Sequence, residues 1–113
     1  MNYAMVHLIA KTTGRSAGMA AKPNPMHIDG FTVNEGVCGM AYVKIVAKNK
    51  EAKGFVKWLK ENNIGFKAYG SGWQIPCDEF NQSFARKLAY CEAYAAHLRM
   101  LCNIPATVVE WVN

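Results

Sequence analysis

The stretch EFNQSFARKLAYCEAYAAHLRMLC, from Glu79 to Cys102, carries the clearest pattern in the sequence. Apolar residues recur along it every three or four positions, which is the spacing of a buried helix stripe. That stripe comprises Phe80, Phe84, Leu88, Cys91, Ala95, Leu98 and Cys102. Asp78 is well placed to cap this segment, and Asn103–Pro105 stops it. We therefore predict one long amphipathic helix here.

Shorter patterns surround this helix and decide the fold. Strand patterns cover Val37–Ala47, Ile64–Tyr69, Trp73–Pro76 and Ala106–Val112. A helical stripe runs from Asn49, a suitable N-cap, to Asn62, and Gly70–Gly72 predicts a hairpin turn. From residue 37 to residue 112 the order is βαββαβ. This order predicts a ferredoxin-like α+β fold, an antiparallel sheet with two helices on one face.

The first third of the chain is expected to add to this core. Tyr3–Ala10 is a short apolar run that predicts an N-terminal strand, at an edge of the sheet, and not an export signal. Residues 12–30 hold three glycines and two prolines, which predicts a long loop made basic by Arg15 and Lys22. The 113 residues suit a single domain, and no apolar run approaches the roughly 20 residues that cross a bilayer.

Charge and cysteine usage narrow the class of protein. The formal net charge is +5, which favours anionic partners such as nucleic acid or an acidic protein surface. The four cysteines are Cys38, Cys77, Cys91 and Cys102. No pair has the two-residue spacing of a zinc or redox motif, so we expect reduced thiols and a cytoplasmic protein.

The face of the sheet away from the helices is the first candidate site. If Ala41, Val43, Ile45, Ile64 and Phe66 face the helices, the residues between them face away. Those outward residues are Tyr42, Lys44, Lys67 and Tyr69, joined by Trp73. Interleaved aromatic and basic side chains on a sheet are typical of surfaces that stack single-stranded bases. The alternative is that the first strand, the long loop or another subunit covers this face.

A stripe of lysines is the second candidate site. It lies along the predicted helix Asn49–Asn62, opposite its apolar face, and comprises Lys50, Lys53, Lys57 and Lys60. Such a stripe suits contacts with phosphates. It also suits an ordinary solvated helix face with a pair between Lys57 and Glu61.

Signals for catalysis are weak. Cys77 lies just before the N-terminus of the predicted helix, but the adjacent Asp78 and Glu79 disfavour its thiolate. Glu110 on the closing strand and His27 in the loop are the remaining candidate acid–base groups. No phosphate-binding loop, dinucleotide fingerprint or metal-ligand spacing is present, so no cofactor and no metal are expected.

Two function classes follow. The first is a small non-enzymatic binding protein, an inhibitor or adaptor, that engages nucleic acid or an acidic protein surface through the outward sheet face, the lysine stripe and the basic loop. The second is a small homo-oligomeric enzyme or sensor that holds an anionic metabolite or nucleotide at subunit interfaces, joined through the sheet face or an edge strand.

Overall fold

The structure, a computed structural model, describes residues 1–81 and 83–112. The helices are α1 (Tyr3–Ala20), α2 (Lys50–Glu61) and α3 (Phe84–Leu101). The strands are β1 (Met26–Ile28), β2 (Phe31–Val33), β3 (Gly39–Ile45), β4 (Phe66–Lys67), β5 (Trp73–Pro76) and β6 (Ala106–Val112). These elements make a small mixed α+β domain with two antiparallel sheets, a β1-β2 hairpin and a sheet of order β4-β5-β3-β6. None of the described helices is both long and apolar enough to cross a membrane.

The N-terminal segment is a helix, so the predicted strand over residues 3–10 is wrong. Asn2 caps α1, because its Oδ1 accepts a hydrogen bond from the backbone N–H of Met5 at 3.0 Å. Every fourth residue then lies buried along one stripe: Val6, Ala10, Gly14 and Gly18. A period of four residues is helical, and it continues through the glycines that predicted a loop. Tertiary packing here overrides the low helix propensity of glycine.

The two glycines of α1 let it approach α3 closely. A Cβ atom added to Gly14 would lie 2.9 Å from the carbonyl oxygen of Tyr90, and one added to Gly18 would lie 3.1 Å from that of Arg86 and collide with the ring of Phe80, just before α3. α1 packs mainly along α3 and reaches α2 near its own first turn, where the ring centroids of Tyr3 and Phe55 are 5.9 Å apart. Helix packing therefore requires small residues on this stripe. Because glycines are also common in loops, their presence in the sequence alone does not distinguish a packed helix from a loop.

The predicted long basic loop over residues 12–30 is likewise not found. α1 occupies its first half, including Arg15. The β1-β2 hairpin occupies its end and turns at Asp29 and Gly30, which have φ angles of 48° and 82°. Such positive φ angles at both turn residues fit the twist of a tight hairpin.

The larger sheet is centred on β3, which pairs with β5 on one side and with β6 on the other. The residues buried along β3 are Gly39, Ala41, Val43 and Ile45. They form one core with side chains from all three helices, among them Val6, Ala10, Ala52, Phe55, Leu59, Tyr94 and Leu98. The three helices therefore cover the same face of the sheet.

Most of the predicted elements after residue 37 are confirmed, with shorter ends. Asn49 caps α2, since its Oδ1 accepts from the N–H of Ala52 at 2.8 Å. The turn at Gly70–Gly72 joins β4 to β5, where the N–H of Ala68 donates to the carbonyl of Gly72 at 2.9 Å. β3 and β4 are shorter than predicted, whereas β6 spans the predicted residues.

The start of α3 differs from the prediction. Phe80 and Asn81 have φ angles of 67° and 51°, so a helix cannot run through them from Glu79. Ser83 is the N-cap instead, and its hydroxyl accepts from the N–H of Arg86 at 3.4 Å. Asp78 is not a cap, which leaves its carboxylate exposed. Positions 82 and 113, which the predicted helix and the predicted domain include, lie outside the described residues.

The close approach of α1 to α3 predicts that a larger side chain at Gly14 destabilises the fold. We expect Gly14→Val to lower the free energy of unfolding by about 1–3 kcal/mol, because the Tyr90 backbone cannot move aside. Ser16→Val, at an exposed position of the same helix, is the matched control and should change it by less than about 0.5 kcal/mol. Urea denaturation measures both, and equal effects of the two substitutions would contradict this packing.

Candidate functional site

The face of the sheet opposite the helices carries a group of aromatic rings, which we call the aromatic face: Tyr42, Phe66, Tyr69 and Trp111. Tyr69 is fully exposed in the turn after β4, Trp111 is 67% exposed and Phe66 is 43% exposed. The rings surround a shallow hollow of about 490 Å³, which Lys67, Gln74, Val109 and Glu110 also border. Large apolar groups in such number on an open face are unusual for a protein surface without a partner.

Strand register brings these rings together from separate parts of the chain. Met40 and Tyr42 on β3 lie opposite Trp111 and Val109 on β6. Paired residues in adjacent strands point to the same side of a sheet, so Trp111 lies on the same side as Tyr42. Phe66 reaches Tyr42 across β5, with the ring centroids 5.6 Å apart and the ring planes at 88°. This edge-to-face contact is a favourable aromatic geometry and orders both rings.

Cationic and polar side chains accompany the rings. Lys44 points to the same side as Tyr42, and its neighbours in register are Gln74 on β5 and Thr107 on β6. Lys67 borders the hollow at the β4 edge. Glu110 borders it on β6 and is the one acidic side chain among its lining residues.

The predicted placement of Trp73 on this face is wrong. Trp73 lies in register with Ile45, whose side chain faces the helices. Its indole Nε1 donates to the carbonyl of Ile64 at 2.7 Å, and the ammonium of Lys60 lies 5.3 Å from its ring centroid. Lys67 is opposite Trp73 in register, so Lys67 also borders a cavity on the helix side.

Phe66 occupies the outward position in place of Trp73, contrary to the prediction that it faces the helices. The predicted strand Ile64–Tyr69 assumes strict alternation of side chains. Gly65 has a φ of 87°, which interrupts that alternation. Ile64 therefore packs against the core while Phe66 lies on the outer side.

The lysine stripe is separate from the aromatic face. Lys50, Lys53 and Lys57 are exposed on α2, which packs on the helix side of the sheet. Lys60 belongs to the same helix but lies over Trp73. The outward sheet face and the lysine stripe, which are expected from the sequence to serve one binding function, are thus on opposite sides of the sheet.

The other predicted site residues are dispersed. Arg15 forms an ion pair with Glu79, with Nε 2.7 Å from Oε1, and Lys22 is exposed just beyond the end of α1. His27 lies in the hairpin, where its Nδ1 is 3.1 Å from Thr32 Oγ1. The hollow beside Glu110 is lined without His27, so the two candidate acid–base groups do not share a site.

None of the three cysteines whose pKa is shifted is an activated nucleophile. Burial raises the pKa of Cys77 to about 11, and burial also raises the pKa values of Cys91 and Cys102. A thiol with such a pKa stays protonated near neutral pH and is a poor nucleophile. Within residues 1–81 and 83–112, no three His, Cys, Asp or Glu side chains are grouped so that they could hold a metal ion.

A second concave region, which we call the polar cavity, contains residues that sequence reasoning missed. It has a volume of about 340 Å³ and lies among α1, α3, the turn after α2 and the end of β5. Its polar lining includes His7, Lys11, Asp78 and Tyr90. His7 and Lys11 are four residues apart, so they share a helix face, a signal visible only once residues 3–20 are recognised as a helix.

His7 is held between aromatic rings in this cavity. Its Nδ1 is 2.7 Å from the hydroxyl oxygen of Tyr94, and its ring centroid is 5.6 Å from Trp58 and 5.8 Å from Tyr94. Burial lowers the pKa of His7, Lys11 lowers it further, and Asp78 acts in the opposite direction. The neutral imidazole is therefore the form that the fold favours.

Comparisons with known proteins add no identity to this geometry. No family model, no curated protein and no solved structure gives a significant match to the chain. The site must therefore be interpreted from its own residues.

The lowered pKa of His7 predicts a pH dependence of stability. Below the ordinary histidine pKa of 6.5 the unfolded chain binds more protons than the fold, so the free energy of unfolding should fall as the pH decreases below 6.5. His7→Gln should flatten the curve below pH 6.5. Urea denaturation at a series of pH values measures the slope, and an unchanged slope in His7→Gln would refute the assignment.

Proposed function

We propose that the protein is a non-enzymatic module that binds single-stranded nucleic acid on the aromatic face. The observation that carries the proposal is the set of exposed rings around one hollow, with Tyr69 fully exposed and Trp111 67% exposed. Bases without a pairing partner stack on aromatic rings, and each stacked base contributes about 1–3 kcal/mol by alanine substitution. Rings spaced along three strands suit successive bases of an extended strand better than a single small ligand.

The charges around the rings support an anionic polymer as the ligand. The chain carries a formal net charge of +5 and Lys44 points to the aromatic side of the sheet, whereas Lys67 borders the hollow at the β4 edge and one acidic residue, Glu110, borders it on β6. Lysines next to stacked bases are placed to contact phosphates, and each contact releases counterions. The affinity should therefore fall as salt rises, while the stacking part of the binding energy remains.

An acidic protein surface fits this face less well than nucleic acid. Recognition of a protein through charge needs clustered cations, and those lie on α2 at Lys50, Lys53 and Lys57, away from the rings. The aromatic face offers more rings than cations. Single-stranded nucleic acid suits a surface with more rings than cations, because each ring can stack one base of any type.

The remaining parts of the proposal concern the scaffold and the cell compartment. We propose a ferredoxin-like arrangement for residues 37–112, supported by the strand order β4-β5-β3-β6 and by the alternation of its strands with α2 and α3. We place the protein in a reducing compartment such as the cytoplasm, since Cys77, Cys91 and Cys102 are buried thiols. By occupying single strands, such a module acts as an inhibitor or adaptor.

Substitution of exposed rings tests the proposal. Trp111→Ala and Tyr69→Ala should each weaken binding of a short oligouridine by about 1–3 kcal/mol. Phe31→Ala is the matched control, because Phe31 is a ring of intermediate exposure, between Trp111 and Tyr69, that lies in the β1-β2 hairpin. Fluorescence anisotropy of labelled oligouridine and oligothymidine measures the affinities and shows whether ribose or deoxyribose is preferred.

The salt dependence of the same binding tests the charges. Lys44→Gln should reduce the slope of log affinity against log salt by about one, while Lys53→Gln on α2 should leave it unchanged. The reverse result would assign binding to the lysine stripe and favour an acidic protein partner. Light scattering completes the test, because a stable dimer that loses its contacts in Trp111→Ala would show that a second copy covers the face instead.

A further inference from the structure

The polar cavity carries two opposite charges that are not paired with each other. Lys11 and Asp78 both line it, yet the ion pairs among the described residues are Arg15 with Glu79 and Arg86 with Glu35. Asp78 is exposed because α3 begins at Phe84 and does not use it as a cap. A concave surface with one unpaired cation and one unpaired anion is complementary to a ligand that carries both signs of charge.

His7 adds a directed hydrogen-bond donor to the cationic side. The hydroxyl of Tyr94 is fully buried, and its partner among the described residues is His7 Nδ1. We assign the Tyr94 hydroxyl as the donor to Nδ1, because its proton has no other acceptor among the described residues. The neutral imidazole then carries its own proton on Nε2. His7 and Lys11, one helical turn apart on α1, together offer an N–H donor and an ammonium to a carboxylate.

Apart from Asn63, the remaining wall of the cavity is mainly apolar. Ile64, Ile75 and Pro76 line it together with the ring of Tyr90. The volume of about 340 Å³ lies at the lower end of the range for small-molecule sites, about 300–1,000 Å³. This size admits a ligand of a few heavy atoms with an apolar side chain and excludes a nucleic-acid strand.

We propose that the polar cavity binds a free α-amino acid with an apolar side chain, as its zwitterion. Lys11 and His7 hold the carboxylate, Asp78 holds the ammonium group, and the side chain packs against Ile64 and Ile75. A simple anion is disfavoured by Asp78, and a simple cation is disfavoured by Lys11. The cavity is on the helix side of the sheet, so this site is independent of the aromatic face and of the function proposed for it.

The intact chain is tested against the free amino acids by thermal shift, followed by calorimetry for those that respond. We expect an apolar amino acid at about 10 mM to raise the melting temperature. Two analogues of leucine resolve the charge requirement: N-acetylleucine lacks the ammonium group and leucinamide lacks the carboxylate. Each should bind at least about tenfold more weakly than leucine, because each analogue loses one of the two charge-assisted contacts with the site.

Substitutions locate the site. Asp78→Asn and Lys11→Gln should each reduce amino-acid affinity by about tenfold or more. Asp29→Asn in the hairpin turn and Lys22→Gln beyond α1 are matched controls that remove the same charges elsewhere and should have no effect. Oligouridine affinity should stay constant in all four variants. Loss of amino-acid binding at the polar cavity is therefore distinguishable from loss of nucleic-acid binding at the aromatic face.

Three outcomes would overturn the proposal. The first is that no amino acid stabilises the wild-type chain. The second is that leucinamide or N-acetylleucine binds as well as leucine, which would remove the zwitterion requirement. The third is that Lys22→Gln or Asp29→Asn weakens binding as much as Lys11→Gln or Asp78→Asn, which would place the site elsewhere.

Discussion

The close packing of α1 against α3 is the constraint on which the rest of the structure depends. It needs a helix surface without side chains at two points, and Gly14 and Gly18 supply it. With α1 seated on α3, all three helices contribute to one core on one face of the sheet. The other face is left with its aromatic side chains uncovered by the described helices. The same packing fixes His7 against Tyr94 and so forms one wall of the polar cavity.

Sequence patterns predicted those elements in which the spacing of apolar residues agrees with the capping and turn residues at the ends. α2 has a capping asparagine and a regular apolar stripe, β3 alternates strictly, and both appear at the predicted places. α1 was not predicted, because its glycines serve a neighbouring helix that no local window contains. The positive φ angles of Phe80 and Asn81 moved the start of α3, and a phenylalanine in that conformation gives no warning in the sequence.

The candidate site was predicted in part for the same physical reasons. Tyr42 and Lys44 follow directly from the alternation of β3, whereas Tyr69, expected to face outward at the end of a strand, lies exposed in the turn after β4. Phe66 was assigned to the wrong face because one glycine, Gly65, interrupts the alternation before it. Trp111 could be added only with the register between β3 and β6, which sets its ring beside the others. The chemistry of the face thus depends on pairings between residues distant in sequence.

The most direct test of the account is a ¹⁵N chemical-shift titration of the intact chain with oligouridine. If single strands bind on the aromatic face, the largest shifts should occur at amides of residues 40–44, 66–69 and 107–111, and at the indole N–H of Trp111. Amides of α2 should move little, because that helix is on the other side of the sheet. Shifts concentrated in residues 50–61, with residues 107–111 unchanged, would contradict the account.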